Sequence, residues 1–244
     1  RLKASLTTQR RFLADAAHQL KTPLAGLRMQ ADLAQREGAN EQELKQSLKQ
    51  IGRSSVRATH TVNQLLALAR AETTGRNLPI VRIDLAQLVT EVVQDSVPRA
   101  LEHGVDLGYE GPSQIARSHH IEGNTTLLQE MVRNLVDNAL RHHPEQAKTP
   151  VRVGLNLRRG DQGMPGEWAV VRVFDAGPGV ADEDKARLFE RFESGQTRSD
   201  RAPSGLGLSI VARVAQVHGG RVAVSDNSPV GTVFELVLPL EASV

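Results

Sequence analysis

The sequence predicts a multidomain chain in which an all-α helical hairpin precedes an α+β sandwich. Three observations lead there. Up to Ala69, apolar residues recur at alternating spacings of three and four, the mark of helices packed as in a coiled coil. The stretch Thr73-Thr74-Gly75-Arg76-Asn77-Leu78-Pro79 has the composition of a linker. Beyond it, short β-branched runs grouped as hairpins alternate with helical patterns that would cover a single sheet face, which favours a sandwich over a doubly wound parallel sheet. The expected domains are 1–75 and 76–244.

The first helix carries the seam Leu13, Ala17, Leu20, Leu24, Leu27, Ala31, Ala34, and the second carries Leu44, Leu48, Ile51, Ser55, Ala58, Val62, Leu65, Ala69. Glu37-Gly38-Ala39-Asn40 between them suits an antiparallel turn. A lone hairpin leaves half of such a seam uncovered, so pairing with a second copy into a dimeric four-helix bundle is expected. His18 lies one step off the seam and should face solvent. Pro23 removes the N–H that the Gln19 carbonyl would accept, so a bend or loosening just after His18 is expected.

In the second part, strands are expected at Val81–Leu85 and Val105–Tyr109 around a helix near 86–102, with a helix near 124–142. Strands at Val151–Leu157 and Trp168–Phe174 flank a Gly-rich loop, Arg159–Gly166. A helix near 206–218 and strands near 221–225 and 232–238 complete it.

Composition narrows the function. The 244 residues hold 30 basic and 28 acidic side chains, a net +2, so no charge excess suited to nucleic acid appears. The first 75 residues carry 12 Lys/Arg against 6 Asp/Glu and the remainder 18 against 22; the basic first part suits an acidic protein partner and equally a solvated helix face. The absence of cysteine excludes a disulfide framework and thiolate metal sites. No apolar run approaches the roughly 18–20 residues of a membrane span. With no signal peptide and a helix near Arg1, the chain reads as part of a longer protein. The adjacent pairs His119-His120 and His142-His143 suggest no third ligand, so no histidine metal site is expected.

Four clusters in the second part carry chemistry, although each alone has a bland reading as helix surface, turn or loop. Asn134 and Asn138, four apart, share one helix face, and their carboxamides can ligate a hard cation or bind phosphate oxygens. Arg141 and His142 follow, able to contact a phosphate and offer a flat surface for stacking. Asp175-Ala176-Gly177-Pro178-Gly179 puts a carboxylate beside closely spaced glycines, an acceptor for an exocyclic amine with backbone free to approach a ligand. Phe189 and Phe192 look like anchors for the polar stretch Glu193–Ser204, a candidate lid. Gly205-Leu206-Gly207-Leu208 opens a helix whose first N–H groups form an anion site. Ile210 stands where a dinucleotide fingerprint needs its third glycine.

In this order and spacing, these motifs resemble the sensor histidine kinases of two-component signalling, over residues 8 to 240. His18 with Leu20, Thr22, Pro23 and Leu24 resembles the phosphoacceptor box. Asn134/Asn138 resembles the N box, Asp175/Gly177/Gly179 the first glycine box, Phe189/Phe192 the F box and Gly205/Gly207 the second glycine box. The wording around His18 also resembles that of tricarboxylate sensors. The resemblance implies a dimerisation and phosphotransfer domain, then a catalytic ATP-binding domain of the Bergerat (GHKL) type. It implies ATP and Mg²⁺ as cofactors, with the metal on Asn138 and support from Asn134. Asp175 would read the adenine amino group, Gly205 to Leu208 would hold phosphates, and His18 would accept the γ-phosphoryl and pass it to a response regulator. It also implies a homodimer and the cytoplasmic portion of an inner-membrane sensor, reaching the membrane only through a preceding region.

The chain departs from the family at Gln19, where a Glu or Asp usually follows the phosphoacceptor. An amide oxygen accepts an imidazole N–H but brings no charge to stabilise imidazolium, so slow autophosphorylation is expected, with Asp15 one turn earlier as a partial substitute. Thr22 sits where family members position a water for dephosphorylating the regulator. Two rivals remain: a gyrase-type ATP hydrolase, which would carry Glu in place of Asn134 and lack the hairpin, and a catalytically weak dimeric scaffold.

Overall fold

The computed structural model describes residues 2–36, 38, 40–72, 79–112, 120–144, 149–160, 166–190 and 206–240; the side chains of 2–15, 18, 19, 57, 60, 68 and 70–72 lie outside the described set. It divides into two compact units, Arg1–Leu66 and Ala67–Val244.

The first unit is built from α1 (Leu2–Ala34) and α2 (Glu41–Glu72) as far as Leu66. The turn between them uses Gly38 at φ +85°, a left-handed value that glycine adopts without strain. Asn40 then caps α2 reciprocally: its Oδ1 accepts from Glu43 N at 2.9 Å, and its own N–H donates to Glu43 Oε2 at 3.0 Å. Pro23 lies inside α1 without ending it, so the expected loosening does not break the helix; one missing i−4 bond is too little to stop so long an element.

The heptad seam divides into two faces. Leu20, Leu27, Ala31, Leu44, Ile51 and Ala58 are half-buried and Leu65 is buried, whereas Leu24 and Leu48 stay 55% and 63% exposed. Ser47, Ser54 and Gln64 take inward positions on α2. Small residues bring the backbones close here, since a methyl on Gly26 would lie 3.8 Å from Ser54 Oγ. Apolar spacing alone cannot separate residues facing inside the hairpin from those facing out.

The second unit stacks helices on a mixed sheet. Its elements are β1 (Val81–Asp84), α3 (Leu85–Glu102), β2 (Leu107–Glu110), β3 (His120–Gly123), α4 (Thr125–His142), β4 (Val151–Arg159), β5 (Glu167–Phe174), α5 (Asp182–Lys185), α6 (Gly207–Val217), β6 (Arg221–Asp226) and β7 (Thr232–Pro239). The five-stranded sheet runs β2-β4-β5-β7-β6, parallel only between β2 and β4, while β1 and β3 pair separately and antiparallel. Val153, Leu155, Val171, Val173, Phe234 and Leu236 alternate along their strands as the buried face of this sheet. Helices α3, α4 and α6 pack together, with α4 touching β4 and β5. Leu127, Leu128, Met131, Val132, Leu135, Val136 and Leu140 bury α4 on most sides, making it the central helix of the unit. The α+β sandwich expected from the sequence is the fold observed; β3 and α5 are additions to it. Among the described residues, no helix is long and apolar enough to cross a membrane.

Two polar links hold α4 in place. Arg99 of α3 pairs with the buried Asp137. At the other end, Asn124 caps α4 by accepting from Leu127 N at 3.0 Å, and its Nδ2 donates to the Pro79 carbonyl at 3.2 Å. The Asn124 N–H donates to His218 Nε2 at 3.1 Å, while His218 Nδ1 lies 2.8 Å from the Val214 carbonyl. A carbonyl only accepts, so Nδ1 carries the proton and Nε2 is free to accept. Burial pushes the His218 pKa down, partly offset by the Val214 carbonyl. No charged side chain among the described residues contributes to the shift.

The folded state therefore holds His218 neutral to a lower pH than the unfolded chain does. Its stabilising contribution is complete above about 6.5, the ordinary imidazole value, and is lost as pH falls through the depressed folded value. The thermal unfolding midpoint should fall between about pH 7.5 and about pH 5.5, and less steeply in His218→Gln, which keeps an acceptor without a titrating ring. Equal slopes in the two proteins would remove His218 as the cause.

Candidate functional site

Asp175 follows β5 directly and is only 2% exposed. The β5–β7 ladder runs one residue past the strand, so Asp175 N–H donates to the Thr232 carbonyl at 3.0 Å. Two backbone donors converge on one side-chain oxygen: Gly177 N at 2.8 Å and Thr232 N at 3.1 Å, both to Oδ1. Among the described residues, these two donors go to Oδ1 and none to Oδ2. Burial pushes the Asp175 carboxyl above its usual range; the Gly177 and Thr232 N–H groups, and then His142 and His143, pull it back.

The glycines after Asp175 are there for space. A Cβ on Gly177 would stand 3.0 Å from both Asp175 Oδ1 and the His142 carbonyl, so this turn packs against the last residue of α4. Gly179 takes φ +79°, and Gly231 takes φ +126° with its Cβ position only 2.0 Å from the Asp175 carbonyl oxygen. The β6–β7 loop thus lies against the carboxylate's own backbone.

Along α4, Asn134 is buried and its Nδ2 donates to the Glu130 carbonyl at 2.8 Å, whereas Asn138 is half-buried. Asn138 is the more accessible of the two carboxamides. Arg141 is exposed and His142 half-buried; burial and then Arg141 push the His142 pKa down, against Asp175. A neutral imidazole is therefore held beside the Asp175 turn. Glu130, one turn before Asn134, is pushed above the usual carboxylate range, chiefly by burial, and its Oε2 is buried with no hydrogen-bond partner among the described residues.

Carboxamide oxygens are hard donors that suit Mg²⁺. Among the described residues, no group of three or more His, Cys, Asp or Glu could hold an ion alone, so an ion at Asn138 would take its other ligands from phosphates and water.

Leu206 is buried at the start of α6, with Gly207 and Leu208 half-buried in its first turn. No side chain caps this helix, and Ser209 Oγ turns back to donate to the Leu206 carbonyl at 2.9 Å. The first-turn N–H groups thus meet the requirement for an anion site. Phe189 is half-buried after α5. Phe192, Gly205 and the proposed lid 193–204 lie outside the described residues.

In the helical unit, the backbones of Asp15, His18 and Gln19 belong to α1, but their side chains lie outside the described set; Thr22 is exposed. The structure brings Asp175, Gly177, Gly179 and His142 together, and to them adds Asn227, Gly231 and Thr232, which the sequence reading missed. The only signal for these was Gly231-Thr232 opening the last strand, and its meaning depends on the pairing with Asp175.

Residues 8–74 match the His Kinase A (phospho-acceptor) domain family, and residues 123–242 match the family described as histidine kinase-, DNA gyrase B-, and HSP90-like ATPase. Sensor protein QseC of Escherichia coli is 37% identical over 226 residues, covering 91% of this chain and 46% of QseC. Sensor protein kinase PmrB of Pseudomonas aeruginosa is 33% identical over 224 residues, covering 92% of this chain and 44% of PmrB. Full-length ShkA, solved in complex with AMPPNP, has the same fold with a TM-score of 0.65, at 22% identity, covering 96% of this chain and 46% of ShkA. The chain spans about half the length of the curated relatives it matches. A phosphoacceptor hairpin and a nucleotide-type α+β unit in one chain, each matched by its own family, leave one conclusion: the chain belongs to the sensor histidine kinases of two-component systems.

Proposed function

We propose that this chain is the phosphotransfer core of a two-component sensor, transferring the γ-phosphoryl of ATP to His18 and then to an aspartate of a response regulator. The observation that carries this reading is the buried Asp175, with Oδ1 fixed by two backbone donors and Oδ2 left for an adenine amine, in the same chain as a phosphoacceptor domain match around His18. In the first step a neutral ring nitrogen of His18 attacks the γ-phosphorus, the bond to the β–γ bridging oxygen breaks, and ADP leaves. The ring proton is lost to solvent or to Asp15, since Gln19 can only accept a hydrogen bond. In the second step a regulator carboxylate oxygen attacks, the P–N bond breaks as the ring takes a proton back from solvent, and neutral His18 is regenerated.

Asn138 would hold Mg²⁺ with support from Asn134; when bound, the ion neutralises phosphate charge. The α6 N-terminus, together with Gly205, is the proposed phosphate cradle, and Arg141 and His142 flank the nucleotide. Exposed Thr22 suits placing a water for regulator dephosphorylation. The exposed Leu24, Met29, Leu33, Leu48, Val56, Val62 and Leu66 supply the apolar surface that a second copy would cover in a four-helix bundle. Light scattering should accordingly report the mass of two chains. The membrane-anchored location proposed for the whole protein rests on its relatives being sensor proteins.

Incubation with γ-labelled ATP and Mg²⁺ tests this reading. Acid-labile label should appear on the wild type and be absent from His18→Ala. Gln19→Glu should label at least about tenfold faster, because a general base is worth ~10²–10⁴-fold. Chase onto a regulator should show slower loss of label with Thr22→Ala. Phosphate release without labelled protein would replace the kinase with a hydrolase.

A further inference from the structure

We infer that Asn227 is a positioning residue for nucleobase selection, acting through the backbone of Asp175; this rests on the proposed reading of Asp175 as the adenine acceptor. Asp175 is buried, so its carbonyl needs a donor once β5 has ended. The donor recorded for it among the described residues is Asn227 Nδ2, at 2.8 Å across 52 positions of sequence. The amide orientation follows from the chemistry, because a carbonyl can only be met by the NH₂ end.

Asn227 is itself held in place. Its N–H donates to the Gly231 carbonyl at 3.0 Å, closing the β6–β7 loop, and Gly231 fits against the same Asp175 carbonyl where no Cβ could enter. Asp175 is thereby clamped on both sides of its backbone, with N–H on Thr232 and C=O on Asn227. The peptide that follows it leads to Gly177, whose N–H fixes Oδ1. Loss of the Asn227 donor frees the 175–176 peptide to rotate, carries Gly177 N–H with it, and loosens the direction in which Oδ2 points. The phosphate contacts proposed for α6 and Asn138 are untouched by that motion. Asn227 should therefore govern which base is bound rather than how tightly phosphate is held.

The test is titration of the 244-residue chain with ADP and with inosine diphosphate, which presents a carbonyl where adenine has its amine. The wild type should prefer ADP. Asn227→Ala should lower the ADP-to-IDP affinity ratio about 3- to 10-fold, in line with one buried hydrogen bond, with IDP affinity changed less than about 2-fold. Asn227→Asp, equal in shape but unable to donate, should lower the ratio further. An unchanged ratio, or an equal loss for both nucleotides, would overturn the positioning role. Asp175→Asn serves as the control: if it leaves the ratio at the wild-type value, the adenine reading itself fails. If it collapses the ratio while both Asn227 variants keep it, only the role of Asn227 fails.

Discussion

Asp175→Asn should turn an adenine-preferring site into one that prefers hypoxanthine. Two N–H groups face Oδ1, from Gly177 and Thr232, so an asparagine here must put its oxygen in that position. Its NH₂ then occupies the place of Oδ2 and offers a donor where the aspartate offers an acceptor. A donor repels the adenine amine and suits the carbonyl of inosine. Losing a hydrogen bond to a charged group costs about 1.5–3 kcal/mol, so ADP affinity should fall roughly 10- to 150-fold while IDP binds relatively better. The fold should not suffer, because burial already disfavours the ionised Asp175 and a neutral amide avoids that cost. Calorimetric titration with both nucleotides, beside a thermal melt, separates base recognition from stability; ADP preference intact in Asp175→Asn would end the assignment.

Gly231→Ala should be among the most damaging single substitutions in the second unit. The added methyl would sit 2.0 Å from the Asp175 carbonyl oxygen, 2.8 Å from its carbon and 2.9 Å from Ala176 Cα. All three are backbone atoms, so no side chain can swing away, and φ +126° is itself strained for an alanine. Relief requires the loop to leave the end of β5, which gives up the Thr232 and Asn227 bonds to Asp175. A loss of roughly 2–4 kcal/mol is expected, visible as a lower urea midpoint together with weaker ADP binding. A midpoint within error of the wild type would show that the loop shifts without cost.

What could be read from the sequence had a local signature. Asp175-Ala176-Gly177-Pro178-Gly179 announces a carboxylate beside exposed backbone, and the alternation in 151–157 and 168–174 marks a half-buried hairpin. Strand β3 escaped notice because His120-Ile121-Glu122-Gly123 offers one apolar residue, and its partner β1 lies far back in the chain. Asn227 and Thr232 escaped for a related reason. Their chemistry is supplied by β7 pairing antiparallel with β5, which no window of neighbouring residues contains. The heptads predicted helices correctly, but Ser47, Ser54 and Gln64 on the inner face depend on how closely α1 approaches α2, a matter of packing rather than periodicity.

The carboxylate at Asp175 is set from both directions along the chain, by a glycine two residues later and by a strand that begins 57 residues later. During synthesis, all the recognised nucleotide motifs therefore emerge before the carboxylate proposed to read the base is fixed. A growing chain that stops short of Thr232 has its glycines and its asparagines but no ordered acceptor. On the proposed reading of Asp175, base recognition begins only with the completed sheet, and bound ADP should in turn favour the chain that has finished folding.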